Sequence, residues 1–320
     1  MFYLKLRMML ATALLFAIIY AVIAMMGAAA GISNFSFYLA LSIVIMAIQY
    51  MIGPKIVEWS MRVRYVKDGE YPELHRMVKD IAAKAGIQCP RIGIAQVSIP
   101  NAFAFGRSIK DGRICVTEGI LSLLKENELR AVLAHEMSHI KNRDVLTITL
   151  LSVIPMILYR IAWQFMFYNR RGRDSGANTA MIGLVAFIFY FITNLLVLYA
   201  SRIREYFADK GSVDLGSRPA DLASALYKLV YGSARMPKEA IKDVEGMKAF
   251  FVNDPSRAMN ELKDLRDLDL DRSGTIDPSE MLAIQNKAVR LGFGDKLMEL
   301  MSTHPNMLKR IKRLSEWKAA

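Results

Sequence analysis

Two histidines and a glutamate stand within about one helical turn of each other in "AHEMSHIKNRDVLTITLLSVIP", residues 134–155, and a few residues later the chain is purely apolar. His135, Glu136 and His139 form the pattern H-E-x-x-H. On a helix, residues four apart share a face, so both imidazoles can reach one Zn²⁺ ion. Glu136 projects beside them, where it can take a proton from a water that the metal activates. A catalytic zinc needs a third protein ligand and keeps one position for water.

The third ligand is narrowed by what the chain offers. Only four histidines occur, and His75 lies far upstream in an ordinary helical pattern. The extended motif with a third histidine fails, because Asn142 and Val145 stand where Gly and His are required. Between residues 140 and 209 the carboxylates are Asp144, Asp174, Glu205 and Asp209. Asp144 is expected to point off the ligand face, and Asp174 falls in a loop between apolar runs. Glu205 and Asp209 remain, spaced four apart. The economical assignment makes Glu205 the ligand and Asp209 the acceptor that fixes the tautomer of a ligand imidazole. A chance match on an amphipathic helix is disfavoured by the scarcity of histidine.

The elements that must carry these residues are dominated by apolar runs. The apolar share, 53% of 320 residues, is too high for an ordinary soluble enzyme. No charged residue occurs from Met8 to Pro54, and Gly31, Ser33, Asn34 and Ser36 split that stretch into runs over 8–30 and 37–54. A third run covers 145–168, with Arg160 near its far end, and a fourth covers 180–201. Each suits the roughly 20 helical residues that cross a hydrocarbon core. The first is longer than the roughly 7–15 residue apolar core of a cleaved signal peptide, and it reads as a permanent anchor. Four transmembrane helices in two pairs are therefore expected.

Lys and Arg at the helix ends set the expected orientation. Lys5, Arg7, Lys55, Arg62, Arg64, Lys67, Lys141, Arg143, Arg202 and Arg204 put both termini and the segments 55–144 and 202–320 in the cytoplasm. Arg170, Arg171 and Arg173 are an outvoted counter-signal. The expected location is the cell (inner or plasma) membrane, multi-pass. Much of the net charge of +12 lies at membrane flanks, where anionic lipid accounts for it. No nucleic-acid motif appears, which excludes nucleic acid as a partner. Cys89 and Cys115 form no C-x-x-C pair and read as reduced, buried thiols. The oligomeric state is not fixed by these features.

The soluble segments read as α+β. "YPELHRMVKDIAAKAGI" is an amphipathic helix, "RIGIAQV" (91–97) and "RICVTEG" (113–119) are short strands, and "ENELRAVLAHEMSHIKNRD" is a helix. Segment 202–320 is mostly helical, ending in the basic amphipathic "PNMLKRIKRLSEWKA". The expected fold class is a mainly α membrane protein with four transmembrane helices and a cytoplasmic α+β zincin-like (gluzincin) catalytic domain holding a small β-sheet. Its divisions are 1–58 (helices one and two), 59–144 (first part of the catalytic domain), 145–201 (helices three and four) and 202–320 (the second part).

"VLAHEMSHIKNRDVLTIT", "SRIREYFAD", "NAFAFG" and "STHPNMLKRI" together resemble the HtpX-type membrane zinc metallopeptidases of family M48, a group related to the Ste24 and Oma1 proteases. The resemblance runs from the first anchor almost to the C-terminus. It implies a zinc metalloendopeptidase facing the cytoplasm that acts on misfolded or damaged membrane proteins in quality control and stress response. It also implies zinc on residues matching His135, His139 and Glu205, with Glu136 as general base and Asp209 as the supporting carboxylate. Asn101, Ala102, Phe103 and Ala104 match a stretch expected at an edge strand beside the cleft, where backbone pairing with an extended peptide explains broad sequence tolerance. Without the resemblance, that stretch reads as a β-turn with a buried Phe. In "STHPN", Ser302 or Thr303 is expected to cap the next helix with Pro305 in its first turn. That leaves His304 to donate to the oxyanion of the reaction. Arg202 and Arg204 read as membrane-flank charges, and Asn142, Arg143 and Asp144 as packing between helix and membrane.

One stretch is not implied by the resemblance. In "DLDRSGTIDPSE", Asp269, Asp271, Ser273, Thr275 (through its carbonyl), Asp277 and Glu280 fall at the ligand positions of an EF-hand loop, with Gly274 at the turn. This predicts a Ca²⁺ site in an EF-hand-like insertion over about 258–292 that modulates access to the cleft. A solvated acidic helix-turn-helix is the competing reading, and no partner loop is visible. The expected cofactors are thus one catalytic zinc and calcium, and the expected partners are membrane or membrane-associated protein substrates and the lipid bilayer. The alternative function is a catalytically silent membrane scaffold or Ca²⁺ sensor with a structural metal site. Against it, a structural zinc usually has four protein ligands and no adjacent glutamate.

Overall fold

The computed structural model of the chain describes residues 35–67, 69–144, 176–237, 257–286 and 292–317, with single positions and two short stretches between them. The expected membrane helix over 8–30, most of that over 145–168 and the arginine-bearing loop after it lie outside the described residues. The chain divides into two compact units, Met1–Met51 with Leu146–Ile203, and Ile52–Val145 with Arg204–Ala320. What is described is mostly helical, with one small mixed sheet.

Two long helices belong in part to the first unit. Helix α1 (Phe35–Ser60) covers the expected run 37–54 and continues through Pro54. A second long helix spans Gly176–Asp214, and no Gly or Pro interrupts it from Leu184 to Lys210. Its stretch Gly183–Asp214 is, among the described residues, the one helix long and apolar enough to cross a membrane. The apolar part ends near Ala200, and the sequence "SRIREYFADK" that follows is polar on one side.

The second unit is built on strands β1 (Val63–Tyr65), β2 (Arg91–Ala95), β3 (Ala102–Phe105) and β4 (Arg113–Thr117), in the spatial order β1-β2-β4-β3. The central pair β2 and β4 is parallel, with Ile92 opposite Ile114 and Ile94 opposite Val116. Both outer strands run antiparallel to their neighbours. "NAFAFG" is thus a strand rather than a turn. All four β3 side chains are buried, and the ladder continues past its end where Thr117 N–H donates to Asn101 O at 2.9 Å. Gly106 (φ +149) ends the strand, and a Cβ there would lie 2.3 Å from the Asp111 carbonyl oxygen.

Helices cover the sheet. Helix α2 (Pro72–Ala85) starts with Pro at its first position, stops at Gly86 (φ 70), and buries Leu74, Met77, Val78 and Ile81 at helical spacing. Helix α3 (Glu118–Leu123) is capped by Thr117, whose hydroxyl accepts from Ile120 N–H. Helix α4 (Glu126–Lys141) carries H-E-x-x-H. The Gly176–Asp214 helix is α5, and it is followed by α6 (Pro219–Ala234), α7 (Ala258–Leu265), α8 (Pro278–Asn286), α9 (Phe293–Leu300) and α10 (Met307–Ser315). Leu129, Val132, Leu133 and Met137 of α4 join Leu222, Leu226 and Leu229 of α6 and Ile311 and Leu314 of α10 in one buried cluster. Each such side chain contributes about 1.5–3 kcal/mol. Helix α4 is therefore fixed on several sides before any metal binds.

Candidate metal centre

Helix α4 begins where the Glu128 carboxylate reaches back to accept from Lys125 N–H at 2.8 Å, and Ser224 and Lys228 of α6 bind the same carboxylate. This anchors the helix whose next turns present His135, Glu136 and His139. Helix α5 approaches α4 at Gly211, where a Cβ would fall 2.1 Å from Ser138 Oγ, and Ser212 Oγ donates to Ala131 O at 2.7 Å. The small residue is what lets α5 come near enough to deliver Glu205, nearly two turns earlier, to the histidines.

Three side chains then converge, Oε2 of Glu205 facing His135 and Oε1 facing His139. Nε2 of His135 and Nε2 of His139 are 3.2 Å apart, and the Glu205 carboxylate oxygens lie 3.5 Å from each of them. Tetrahedral zinc with bonds of about 2.0–2.1 Å holds its ligand atoms about 3.3 Å apart. The donor set and its spacing both fit zinc. His135, Glu136 and Glu205 are buried, and the side chain of His139 is 15% exposed.

Each imidazole is backed on its far nitrogen by a carboxylate that an arginine holds. Nδ1 of His135 lies 3.0 Å from Asp209 Oδ1, close enough for the ion pair although the ring is turned off the straight N–H···O line. Arg310, fully buried on α10, grips Asp209 with both arms: Nη2 to Oδ1 at 2.6 Å and Nε to Oδ2 at 3.0 Å. The same guanidinium places Nη1 3.2 Å from Glu205 Oε2 and donates to Val252 O at 3.0 Å. On the other side, Nδ1 of His139 is 2.7 Å from Asp144 Oδ2, and Arg204 pairs with the remaining Asp144 oxygen.

Asp144 is therefore not turned away from the site, nor merely a packing residue, and Arg204 is not a simple membrane-flank charge. Placing Asp144 off the ligand face assumes that the helix continues, but it ends at Lys141, and Arg143 takes left-handed backbone (φ 56). That reversal swings Asp144 back over His139. Arg310 is not singled out by its charge, because it sits in a strongly basic stretch. Its signal is positional, since Met307, Arg310, Ile311 and Leu314 share the i, i+3, i+4, i+7 face, and all four are buried.

Burial works against charging His135, but the neighbouring Asp209 and Glu205 carboxylates outweigh it and carry its pKa up to about 9. Burial pushes the Glu136 carboxyl above the ordinary carboxylate range, with the two imidazoles pulling the other way and the Ala104 backbone N–H donating to it. Glu136 thus lies against the sheet-edge strand β3. A base with a raised pKa holds a proton more readily once it has taken one.

The other predicted residues divide. His304 is buried, with Nε2 3.9 Å from Glu205 Oε1 and Nδ1 2.9 Å from Thr303 Oγ1. It belongs to this cluster. The cap of α10 is Asn306, not Ser302 or Thr303; its Oδ1 accepts from Leu308 N–H at 2.9 Å, so Pro305 lies before the helix. Ser302 Oγ instead accepts from His304 N–H. Asn101 Oδ1 accepts from Val252 N–H at 3.0 Å, so that amide ties β3 to the 251–253 segment. Ala102, Phe103 and Ala104 lie on β3, side chains buried.

The 269–280 loop brings oxygens of Asp269, Asp271 and Glu280 within 4.8 Å of one another. Gly274 (φ +78) makes the turn, Ile276 is buried, and α7 and α8 flank the loop. Its acids are engaged locally. Asp269 accepts from Ser273 N–H, Gly274 N–H and the Tyr227 hydroxyl, and Glu280 accepts from Leu270 N–H and Asp277 N–H. Asp277 accepts from Glu280 N–H at the start of α8, while Ser273 and Thr275 bond to each other.

With this geometry in hand, comparisons with known proteins converge on one group. The family model for peptidase family M48 matches residues 69–318. A protease HtpX homolog of Methanothermobacter thermautotrophicus is 53% identical over 227 residues, covering 71% of this chain and 86% of the relative. Protease HtpX homolog 2 of Methanosarcina acetivorans is 35% identical over 274 residues, covering 85% of this chain and 81% of the relative. The crystal structure of S. mikatae Ste24p aligns over 99% of this chain and 67% of that chain at 16% identity, with a TM-score of 0.46, too distant a likeness to bear on function.

Proposed function

The chain belongs to peptidase family M48, and on that premise we propose that it is a membrane-anchored zinc endopeptidase that cleaves membrane or membrane-associated proteins. The observation that carries this reading is the convergence of His135, His139 and Glu205 at 3.2–3.5 Å beside Glu136. Those three residues would hold the ion. Zinc bound there would supply the Lewis acid that draws charge from a carbonyl oxygen and makes a nearby water more acidic. Glu136 takes the proton from the attacking water and delivers it to the leaving amine. His304 donates to the oxygen that becomes negative. An extended peptide adds to the edge beside β3, held by main-chain hydrogen bonds.

Apolar faces support the membrane anchor. Ile52, Ile56 and Trp59 on α1, and Leu184, Phe187, Ile188 and Phe191 on α5, are exposed, which suits contact with lipid. The basic flanks support a multi-pass arrangement with the catalytic residues and both termini on the cytoplasmic side. Quality control of misfolded membrane proteins is the proposed role. In purified protein, Glu136→Gln with zinc retained is expected to lower kcat/KM for a test polypeptide by about 10²–10⁴-fold. Unchanged cleavage would rule out this mechanism and favour a silent scaffold.

A second reading concerns regulation. The clustered oxygens of Asp269, Asp271 and Glu280 and the turn at Gly274 support Ca²⁺ binding that orders the region beside the cleft. Equal cleavage with Ca²⁺ and with a calcium-selective chelator, zinc being retained, would eliminate it.

A further inference from the structure

His139 lies in the last turn of α4, two residues before the helix ends at Lys141. A ring there has helical neighbours on its N-terminal side only, so helix packing alone leaves it freer to turn than His135. The chain supplies an anchor immediately. Arg143, a non-glycine residue, adopts left-handed backbone (φ 56), a conformation that costs roughly 1–2 kcal/mol. What the turn achieves is visible: Asp144 Oδ2 comes to 2.7 Å from His139 Nδ1. Arg204 then holds the other Asp144 oxygen, although among the described residues its own buried Nε finds no hydrogen-bond partner. A largely buried arginine with an unmet N–H is a poor stabilising device, which points to a role in placing Asp144.

Resting on the reading of this site as a zinc centre, we propose that Asp144, held by Arg204, is a positioning residue that fixes the ring and tautomer of His139. With the Nδ1 proton donated to Asp144, Nε2 carries the lone pair and faces Nε2 of His135 at 3.2 Å. The arrangement repeats, from different elements, the Asp209–Arg310 bracket behind His135. The site thus has two brackets, and the sequence motif contains neither.

The test measures zinc affinity by chelator competition in the purified full chain, alongside melting of the metal-free protein and the visible spectrum of the cobalt(II)-substituted form. Asp144→Asn is expected to weaken zinc binding by about 10–100-fold. It should also lower metal-free melting, as the loss of a buried pair does, and alter the cobalt spectrum, which loss of stability alone does not; Asp144→Glu should recover part of the affinity. Wild-type affinity together with an unchanged cobalt spectrum in Asp144→Asn would overturn the proposal. If that variant does not fold, Arg204→Gln is read the same way: weaker zinc binding supports the bracket and unchanged binding overturns it. Failure of the wild-type chain to bind zinc would take down the proposed function as well, whereas failure in the variants alone leaves that function standing.

Discussion

His135, His139 and Glu205 come from two helices far apart in sequence, whereas Asp269, Asp271 and Glu280 come from one continuous stretch, the loop after α7 and the first turn of α8. Around the histidine centre, the opposing charges arrive from outside the ligand set, with Arg310 on α10 and Arg204 on α5 acting through Asp209 and Asp144. The ligand nitrogens are left aimed at one another. In the loop, the acids accept mainly from the loop's own backbone N–H groups at Ser273, Gly274, Leu270 and Asp277, with the Tyr227 hydroxyl of α6 reaching Asp269 from outside. The first cluster turns two imidazole nitrogens and a carboxylate toward one point, a geometry that suits a metal cation. The second is at rest without one, and an ion must compete with hydrogen bonds already made. Distant scaffolding preorganises a site; local scaffolding relaxes it.

The sharpest way to break that contrast is to remove the distant support. Arg310→Met leaves Asp209 and Glu205 buried without their guanidinium, and breaking a buried pair of this kind costs about 3–5 kcal/mol. Metal-free melting should fall markedly and zinc affinity should drop, while Arg310→Lys, which keeps the charge but loses the two-armed grip on Asp209, should recover only part of each. Thermal melting and zinc competition read both effects. Wild-type behaviour in Arg310→Met would mean that the bracket behind His135 holds nothing.

The two clusters also differ in how they were legible. H-E-x-x-H and the loop are short local patterns, and both are plain in the sequence, as are the helices α2 and α4 and the strands β2 and β4. Elimination singles out Glu205 because carboxylates are few between residues 140 and 209, and the structure brings it to 3.5 Å from both histidines. Helical periodicity extended past Lys141 puts Asp144 on the wrong face, because a single left-handed residue at Arg143 reverses the side-chain direction. The sequence offers Ser302, Thr303 and Asn306 alike as caps of α10, since all three types can cap, and only the backbone decides that Asn306 does. Arg310 shows the opposite problem. Its charge draws the eye to solvent, yet the period of Met307, Ile311 and Leu314 already puts it inside.

A smaller effect follows from protonation. In the metal-free protein His135 has a pKa of about 9, above its ordinary value of 6.5. Its protonated form therefore stabilises the fold fully below about pH 6.5, and that contribution is lost as pH rises through about 9. Zinc needs the neutral imidazole, so binding at pH 7.5 must expel this proton. Apparent zinc affinity is expected to rise by about tenfold per pH unit between roughly pH 7 and 9 and then level off. Calorimetry in buffers of different ionisation enthalpy should count about one proton released near neutral pH. No proton release at pH 7.5 would refute the charged state assigned to His135 and weaken the contrast, since the centre would then be as relaxed without an ion as the loop is.

The smallest expected effect lies in the loop itself. If Ca²⁺ must displace the N–H donors of Ser273, Gly274, Leu270 and Asp277, its affinity should fall toward the weak end of such loops, about 10⁻⁴–10⁻³ M. At a concentration ten times a dissociation constant, an ion stabilises the form that binds it by about 1.4 kcal/mol. In a unit of this size that raises Tm by only about 2–4 °C per kcal/mol. Glu280→Gln should abolish the calcium-dependent rise while leaving zinc affinity untouched, because Glu280 accepts from Leu270 and Asp277 within the loop and not from the histidine centre. His135→Ala should do the converse. An equal calcium shift in Glu280→Gln and wild type would show that the ion binds elsewhere. A shift far larger than a few degrees would show that the loop is preorganised after all, so that local hydrogen bonds do not compete with the ion as the contrast requires.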